Sequence, residues 1–247
     1  MKSTENSTRP RTSKQWKWIA VTSIVPDIVT FLHDLQYGRY RGVLRRLHSK
    51  GLSVITDFMD GLPGMERFYN RYVVPYEPKV VICGINPGRF GSGKCGVPFL
   101  DFRALNELIG DTGRTDSEKS ARFFYAVVRH FGPERFYSTF YVTNVSWLGF
   151  TKGGRNINYY HLPEDIQAVI LEMFTYEMRL VKPIRIIPTS LEVAKTLGKL
   201  RAQRKVAAEI DIRLKHPRWC GIDRNYATGF REYLDVLGRF IEPAVAK

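Results

Sequence analysis

One stretch decides the fold of this chain: Val80-Val81-Ile82-Cys83-Gly84-Ile85-Asn86-Pro87-Gly88-Arg89-Phe90-Gly91-Ser92-Gly93-Lys94-Cys95-Gly96-Val97-Pro98-Phe99. Its apolar, β-branched start predicts a buried strand over residues 80–83, and its glycines predict a tight loop after that strand. Asn86 is the polar side chain that the strand delivers to this loop. Ligands of open α/β sheets bind at the carboxyl ends of the strands. We therefore expect a ligand site around Asn86.

The glycine-rich loop also matches a pattern of nucleotide-binding enzymes. Gly88 and Lys94 bound a G-x-x-x-x-G-K pattern, whose next residue is normally a Ser or Thr that binds magnesium. Here that residue is Cys95, and a thiol is a poor magnesium ligand. Pro98 lies where the phosphate-binding helix should run, and it has no N–H to donate. A nucleotide-binding enzyme that uses the Gly88 to Lys94 loop is therefore the least favoured alternative.

A second nucleotide-binding pattern, G-x-G-x-x-G, is satisfied by Gly91, Gly93 and Gly96. Residues 84–90 separate it from the predicted strand, whereas a dinucleotide-binding loop follows its strand directly. The acidic residue at the expected distance, Asp111, lies in a loop-forming segment rather than at the end of a second strand. The simpler explanation is that these glycines only permit positive φ angles.

The rest of the chain alternates between helical and strand patterns, which is typical of an α/β fold. Apolar periodicity predicts helices over 26–49, 64–72, 99–109, 117–130, 163–181, 190–203 and 227–240, with Thr189 or Ser190 as a helix cap. It predicts strands over 80–83, 140–145, 184–187 and 212–214, the last of which ends beside His216. In the helix over 117–130, the residues predicted to face inward are Phe123, Phe124, Val127 and Val128.

The charge of the chain indicates a polyanionic partner. The formal net charge is +14, and residues 199–218 hold seven Lys and Arg side chains against two acidic ones. This basic segment runs directly into His216. Basic charge that leads into a candidate site is typical of proteins that capture a phosphate backbone.

Other features set the expected context of the protein. The three cysteines form no C-x-x-C pair, so we expect no metal and no cofactor, and their scarcity suits an intracellular protein, in the bacterial cytoplasm or the eukaryotic nucleus. The apolar stretch over 19–29 is too short and too interrupted to span a membrane. Residues 1–17 read as a basic disordered tail, with a cleaved targeting peptide as the alternative. We expect residues 18–247 to form a single domain and the protein to be a monomer.

Three segments, in order, resemble the single-strand-selective monofunctional uracil-DNA glycosylases. Residues 84–91 with 96–99 resemble the first active-site motif of that family, residues 140–151 its uracil-reading segment, and His216-Pro217-Arg218-Trp219 its second active-site motif. Residues 156–160, Asn-Ile-Asn-Tyr-Tyr, match a bacterial branch formerly classed as a domain of unknown function. The resemblance spans residues 68–237. It implies a three-layer α/β/α fold with a central four-stranded parallel sheet.

The resemblance also assigns two catalytic residues, Asn86 and His216. An amide cannot remove a proton as a carboxylate does, and no Asp or Glu lies between Cys83 and Leu100. We therefore expect Asn86 to orient a water molecule in a dissociative hydrolysis. His216 is expected to donate a hydrogen bond to uracil O2 as charge develops there.

Substrate recognition follows from the same likeness. Asn144 stands at the position whose amide pairs with uracil O4 and N3–H, although the bacterial branch normally has Ser there. The residues expected to bind the base are Gly84, Ile85, Gly88, Gly96, Phe99 and Asn144. Those expected to bind DNA are Arg89, Lys215, Arg218, Trp219 and Arg224. The residue that fills the space of the flipped base lies among Arg218, Trp219 and the loop through Tyr226.

No lysine stands in a position to act as a Schiff-base nucleophile, since Lys94 and Lys215 read as solvated side chains. The sequence therefore predicts a DNA base-excision repair glycosylase that leaves an abasic site without cutting the strand. The alternative from another class is a non-catalytic nucleic-acid-binding module on the same fold. The preferred lesion stays open among uracil, 5-hydroxymethyluracil, xanthine and hypoxanthine, as does the preference for single- or double-stranded DNA.

Overall fold

A computed structural model describes residues 24–76 and 78–241, which contain seven strands and eleven α-helices. The strands are β1 (Leu52–Ile55), β2 (Val80–Gly84), β3 (Phe140–Asn144), β4 (Gly149–Lys152), β5 (Arg155–Ile157), β6 (Arg185–Pro188) and β7 (Glu209–Ile210). The helices are α1 (Val25–Gln36), α2 (Arg41–Ser49), α3 (Leu62–Tyr72), α4 (Ser92–Cys95), α5 (Phe102–Ile109), α6 (Lys119–Phe131), α7 (Pro133–Thr139), α8 (Glu164–Val181), α9 (Leu191–Ala202), α10 (Pro217–Cys220) and α11 (Asp223–Leu237). The predicted tail over 1–17 and the predicted domain start at residue 18 lie outside the described residues.

The central sheet has four parallel strands in the order β3-β2-β6-β7. All five residues of β2 are buried, as are all five of β3, because helices cover both faces of the sheet. Strands buried on both faces are continuous hydrophobic runs rather than alternating patterns. The prediction of a three-layer α/β/α fold is confirmed. The register pairs Gly84 with Asn144, so these two strands end side by side.

The predicted fourth strand over 212–214 is wrong, because the pairing with β6 occurs earlier, at β7. After Asp211, whose N–H still donates to the Ile186 carbonyl (2.9 Å), the chain leaves the ladder, and Ile212 is exposed. A further backbone contact, from the Leu214 N–H to the Pro188 carbonyl (2.8 Å), keeps the segment beside the end of β6. That contact still brings His216 to the carboxyl edge of the sheet.

A second sheet, which the sequence did not predict, has three antiparallel strands in the order β1-β4-β5. Gly153 and Gly154 turn the chain between β4 and β5 with φ angles of 52° and 72°. Gly149 brings β4 against the loop after β2, since a Cβ atom on it would lie 2.4 Å from the Pro87 carbonyl oxygen. This sheet therefore packs beside the loop that carries Asn86.

The helices differ from the predictions in four places. The predicted helix over 26–49 is two helices, α1 and α2, and the helix predicted from residue 99 begins at Phe102 with Asp101 as its cap. The short helices α4 and α7 were not predicted. The other helices agree with the predictions to within a few residues, and Ser190 caps α9 by accepting the Val193 N–H at 3.2 Å.

The four residues of α6 that were predicted to face inward are buried: Phe123, Phe124, Val127 and Val128. Cys83 in β2 is buried as well. Across residues 24–76 and 78–241, no helix has the length and apolar character needed to cross a bilayer.

Candidate active site

A cavity of about 510 Å³ opens where β2 and β3 end. It collects side chains from four separate stretches of the sequence, which only the fold brings together. The residues that line it are Ile85, Asn86, Gly88, Ser92, Phe99, Glu118, Ser120, Asn144, Asn156, Asn158, His216, Arg218, Trp219 and Ile222.

The Asn86 amide is fixed by three contacts to the backbone. Its Nδ2 donates to the Pro87 carbonyl (3.2 Å) and to the Ile157 carbonyl (3.4 Å), and its Oδ1 accepts the Tyr159 N–H (3.0 Å). Both donor hydrogens are thus occupied, whereas Oδ1 keeps one lone pair. The arrangement leaves Asn86 a single acceptor, which can orient a water molecule but cannot ionise it.

Asn144 ends β3 and is 5% exposed. It packs on Gly84, where a Cβ atom would lie 2.3 Å from Asn144 Oδ1 and 2.4 Å from Phe99 Cζ. After β3 the chain stays bonded to the first motif, because the N–H of Val145 donates to the Gly84 carbonyl at 2.9 Å. Within residues 24–76 and 78–241 the Asn144 amide makes no hydrogen bond of its own. It is therefore free to bind a polar group in the cavity.

Phe99 holds a strained backbone, with φ at 61°. Positive φ is uncommon for a bulky residue and costs of order 1–3 kcal/mol. Its ring stacks on Phe124 at a centroid distance of 4.8 Å and lies 6.5 Å from the His216 ring. The strain places an aromatic ring in the cavity wall, where a planar ligand can stack on it.

His216 precedes the short helix α10, and its Nδ1 accepts the Arg218 N–H at 3.1 Å. Burial, together with the charge of Arg218, lowers the pKa of this imidazole to about 4. At neutral pH the ring is therefore uncharged. Because Nδ1 is an acceptor, the ring proton is assigned to Nε2, which can donate to a ligand in the cavity.

We expect His216 to titrate near pH 4 in the folded protein. An unfolded chain binds the same proton near pH 6.5, so acid favours the unfolded state and this residue lowers stability as the pH falls from 6.5 to 4. NMR of the ring nitrogens across that range measures the midpoint and the tautomer. A midpoint near 6.5, or a proton on Nδ1 at neutral pH, would contradict this arrangement.

The structure brings six predicted site residues into the cavity, and Gly84 lies directly behind two of them. The six that line it are Asn86, Gly88, Phe99, Asn144, His216 and Ile85, and Arg218 and Trp219 of the predicted DNA-binding set lie at its rim. Gly96, the other residue expected to bind the base, does not line the cavity. Gly96 ends α4 with φ at 77°, and a Cβ atom on it would meet Met65 Sδ at 2.5 Å rather than a ligand.

The remaining predicted DNA-binding residues lie outside the cavity. Arg89 bonds to the Gly154 carbonyl and covers the Phe90 ring. Lys215 lies over the Trp219 ring at 4.5 Å and pairs with Glu232 at 3.6 Å. Arg224 is exposed in the first turn of α11. None of these three side chains lines the cavity.

Sequence reasoning missed several lining residues, namely Ser92, Glu118, Ser120, Asn156 and Asn158. The two asparagines lie in a segment that was noted for its resemblance but given no role. Glu118 gave no signal, since it stands more than thirty positions from Asn86 in the sequence. Lys94 of the nucleotide-binding pattern pairs with Asp116 and does not line the cavity. Within the described parts of the chain, no group of three His, Cys, Asp or Glu is placed to hold a metal ion.

Comparison with known proteins agrees with this geometry. A family model described as "Uracil DNA glycosylase superfamily" matches residues 71–237, more than half of the chain. Among solved structures, the chain is similar to the crystal structure of wild-type SMUG2 from Pedobacter heparinus, with a TM-score of 0.66 and 28% sequence identity. That match covers 76% of this chain and 88% of the other. A comparison with curated proteins gives no match.

Proposed function

This chain belongs to the uracil DNA glycosylase superfamily, and on that basis we propose that it excises uracil, or another deaminated or oxidised pyrimidine, from DNA by hydrolysis and leaves an abasic site. The observation that carries the proposal is the convergence of Asn86, Asn144 and His216 on one cavity at the carboxyl edge of the sheet. These three side chains offer one water site and two base-binding groups.

The proposed mechanism assigns each group one task. The Asn144 amide donates to uracil O4 and accepts from N3–H, a pattern that cytosine presents reversed. His216 donates from Nε2 to O2, where negative charge accumulates as the bond between the base and the sugar breaks. Asn86 holds the water that adds to the sugar. Since the amide cannot take a proton from that water, bond breaking runs ahead of attack.

The rim of the cavity suits a base that leaves the DNA stack. Trp219 and Ile222 are partly exposed there, at 39% and 43%, and Arg218 adds a cation. Extruding a base costs a few kcal/mol, and an aromatic or a guanidinium group can stack in the space that it leaves. The net charge of +14 supports binding to the phosphate backbone.

The proposal includes a monofunctional reaction, in which no amine attacks the sugar. Among the described residues that line the cavity there is no lysine. Lys94 is engaged by Asp116, and Lys215 by Glu232 and the Trp219 ring. The geometry thus offers water rather than a Schiff base as the nucleophile.

The test is incubation of the protein with a labelled single-stranded oligonucleotide that bears one uracil, followed by alkali. Strand cleavage that depends on alkali, and that is lost in His216→Ala, is the expected result. Cleavage without alkali would instead indicate a lyase. DNA binding without any base release, across uracil, 5-hydroxymethyluracil, xanthine and hypoxanthine, would favour the non-catalytic module.

We expect Gly84→Ala to weaken substrate binding and raise KM for a uracil oligonucleotide more than about tenfold. The new methyl would lie 2.3 Å from Asn144 Oδ1 and 2.4 Å from Phe99 Cζ, so both side chains must shift from their places in the cavity wall. The matched control is Gly198→Ala in α9, where nothing lies within 4 Å, and that change is expected to raise stability by up to about 1 kcal/mol without altering KM. Equal KM values for the two variants would contradict the assignment of this wall.

A further inference from the structure

Glu118 is the one acidic side chain among the described residues that line the cavity. It precedes α6 at the cap position, where a side chain normally accepts an N–H of the first helical turn. The Glu118 side chain makes no such capping bond. Its carboxylate instead extends toward the loop that follows Asn86 and lies beside Gly88 and Gly91.

Two features of the fold hold the carboxylate in this place. The Glu118 N–H donates to Asp101 Oδ2 at 2.7 Å, and Asp101 is itself 1% exposed and accepts the Ala104 N–H at 2.9 Å with its other oxygen. Gly91 leaves room for the carboxylate, because a Cβ atom there would lie 2.4 Å from Glu118 Oε2. Asp101 thus fixes the backbone of Glu118, and the lack of a side chain at Gly91 leaves space for the carboxylate oxygens.

The Glu118 carboxylate has no hydrogen bond or ion pair with any residue in the ranges 24–76 and 78–241, although the chain carries a net charge of +14. A negative charge repels the phosphates of DNA, so it does not serve to bind the backbone. It attracts a positive charge or a hydrogen-bond donor in the substrate. The uncompensated charge of this carboxylate therefore favours a positively charged part of the substrate within the cavity.

The depth of the group selects the part of the substrate that it meets. Asn144, at 5% exposure, defines the floor of the cavity, where the base is bound in the proposed function. Glu118 is half-buried, nearer to the rim. The sugar connects a base at the floor to a DNA backbone outside, so it passes the level of Glu118.

We propose that Glu118 is a catalytic residue that faces the deoxyribose and stabilises the positive charge on it in the transition state; this rests on the proposed function. The bond between C1′ of the sugar and N1 of the base breaks, and its electron pair leaves with the base. The sugar cation then bonds to the oxygen of the water held by Asn86. The proton of that water passes to solvent, and the base anion takes one proton from solvent, so that one water is consumed.

Asn86 cannot supply this charge. Its amide is neutral, and both of its donor hydrogens are used by the carbonyls of Pro87 and Ile157. Glu118 thus supplies the negative charge and Asn86 holds the water, two tasks that a single carboxylate could perform. A charge that acts only as the sugar becomes cationic stabilises the transition state more than the substrate and so raises kcat.

The first readout is the kinetics of uracil excision by Glu118→Gln, which keeps the shape of the side chain and removes its charge. We expect kcat to fall by about 10- to 100-fold with KM within threefold of the parent value. The matched control is Glu66→Gln, an exposed glutamate of α3 that does not line the cavity, and it should leave both constants unchanged.

The second readout is binding to two abasic-site analogues in the presence of free uracil. One has a neutral tetrahydrofuran ring in place of the sugar, and the other has a pyrrolidine ring whose protonated nitrogen stands at the position of C1′. We expect Glu118→Gln to weaken binding of the pyrrolidine analogue at least tenfold more than binding of the tetrahydrofuran analogue. A merely structural role would weaken both equally.

Three outcomes would overturn the proposal. They are an unchanged kcat in Glu118→Gln, an equal loss of affinity for both analogues, and, where Glu118→Gln fails to fold, a Glu118→Asp variant that loses the preference for the pyrrolidine analogue. Failure of the proposed function looks different, since the parent protein itself would then release no base.

Discussion

Replacing Asn86 with alanine is expected to lower kcat for uracil excision by about 10²–10³-fold. The change removes the acceptor that we propose holds the attacking water. It also leaves the Tyr159 N–H and the Ile157 carbonyl without the partners that fix this wall of the cavity. Single-turnover kinetics on a single-stranded uracil oligonucleotide measure the effect, and binding of the neutral tetrahydrofuran analogue shows whether the cavity persists.

The Asn86→Asp variant tests whether residue 86 orients the water or removes its proton. It keeps an acceptor for the Tyr159 N–H, but its second oxygen replaces Nδ2 and so faces the carbonyl oxygens of Pro87 and Ile157. Because those contacts are repulsive, we expect Asn86→Asp to be less active than the parent even though a carboxylate is the stronger base. An aspartate variant that exceeds the parent would show that proton removal, rather than water orientation, limits the reaction.

The largest expected effect on stability is at Glu177, a buried glutamate of α8 that is 1% exposed. Its carboxylate accepts the hydroxyls of Tyr141 and Thr143 and the indole N–H of Trp147, each at 2.8 Å. Glu177→Ala leaves three donors without an acceptor, so we expect the free energy of unfolding to fall by about 3–5 kcal/mol. The matched control is Glu172→Ala, an exposed glutamate on the same helix, with an expected change of less than about 1 kcal/mol. Chemical denaturation compares them.

The same residue gives stability a pH dependence of known sign. Burial raises the pKa of Glu177 to about 7, against the hydrogen bonds from Trp147, Tyr141 and Thr143, which lower it. The folded protein therefore holds a proton that the unfolded chain releases near pH 4.5, so this contribution is present below pH 4.5 and is lost as the pH rises to 7. Glu177→Gln cannot titrate and should lose that part of the slope. An unaltered slope would contradict the shifted pKa.

The long elements were predictable because their signals are local. The β-branched run of β2 and the apolar run of β3 identify the sheet, whereas the roles expected of Asn144 and His216 depend on the resemblance to a known family. The fourth strand was predicted over 212–214 instead of at β7, because a two-residue strand carries no periodicity and the nearby Ile212 is apolar. The short strands β4 and β5 were missed for the same reason.

Contacts between segments that are far apart in the sequence could not be predicted from it. The bond from the Glu118 N–H to Asp101 holds Glu118 beside the cavity. The Glu177 carboxylate accepts a hydrogen bond from Thr143 in β3, more than thirty residues away in the sequence. Neither carboxylate lies near a motif. The position of Gly96 in its motif indicated the cavity, whereas in the structure it ends α4 with a positive φ and lies beside Met65.

The bonds from Asn86 to Ile157 and Tyr159 tie the orientation of one side chain to the small antiparallel sheet rather than to the central one. A hairpin of short strands opens more readily than a buried parallel sheet. The Asn86 amide would then lose its alignment whenever residues 149–159 open, while the rest of the fold stays intact. The rate of hydrogen exchange at the Tyr159 N–H would measure the fraction of folded molecules in which this segment is open.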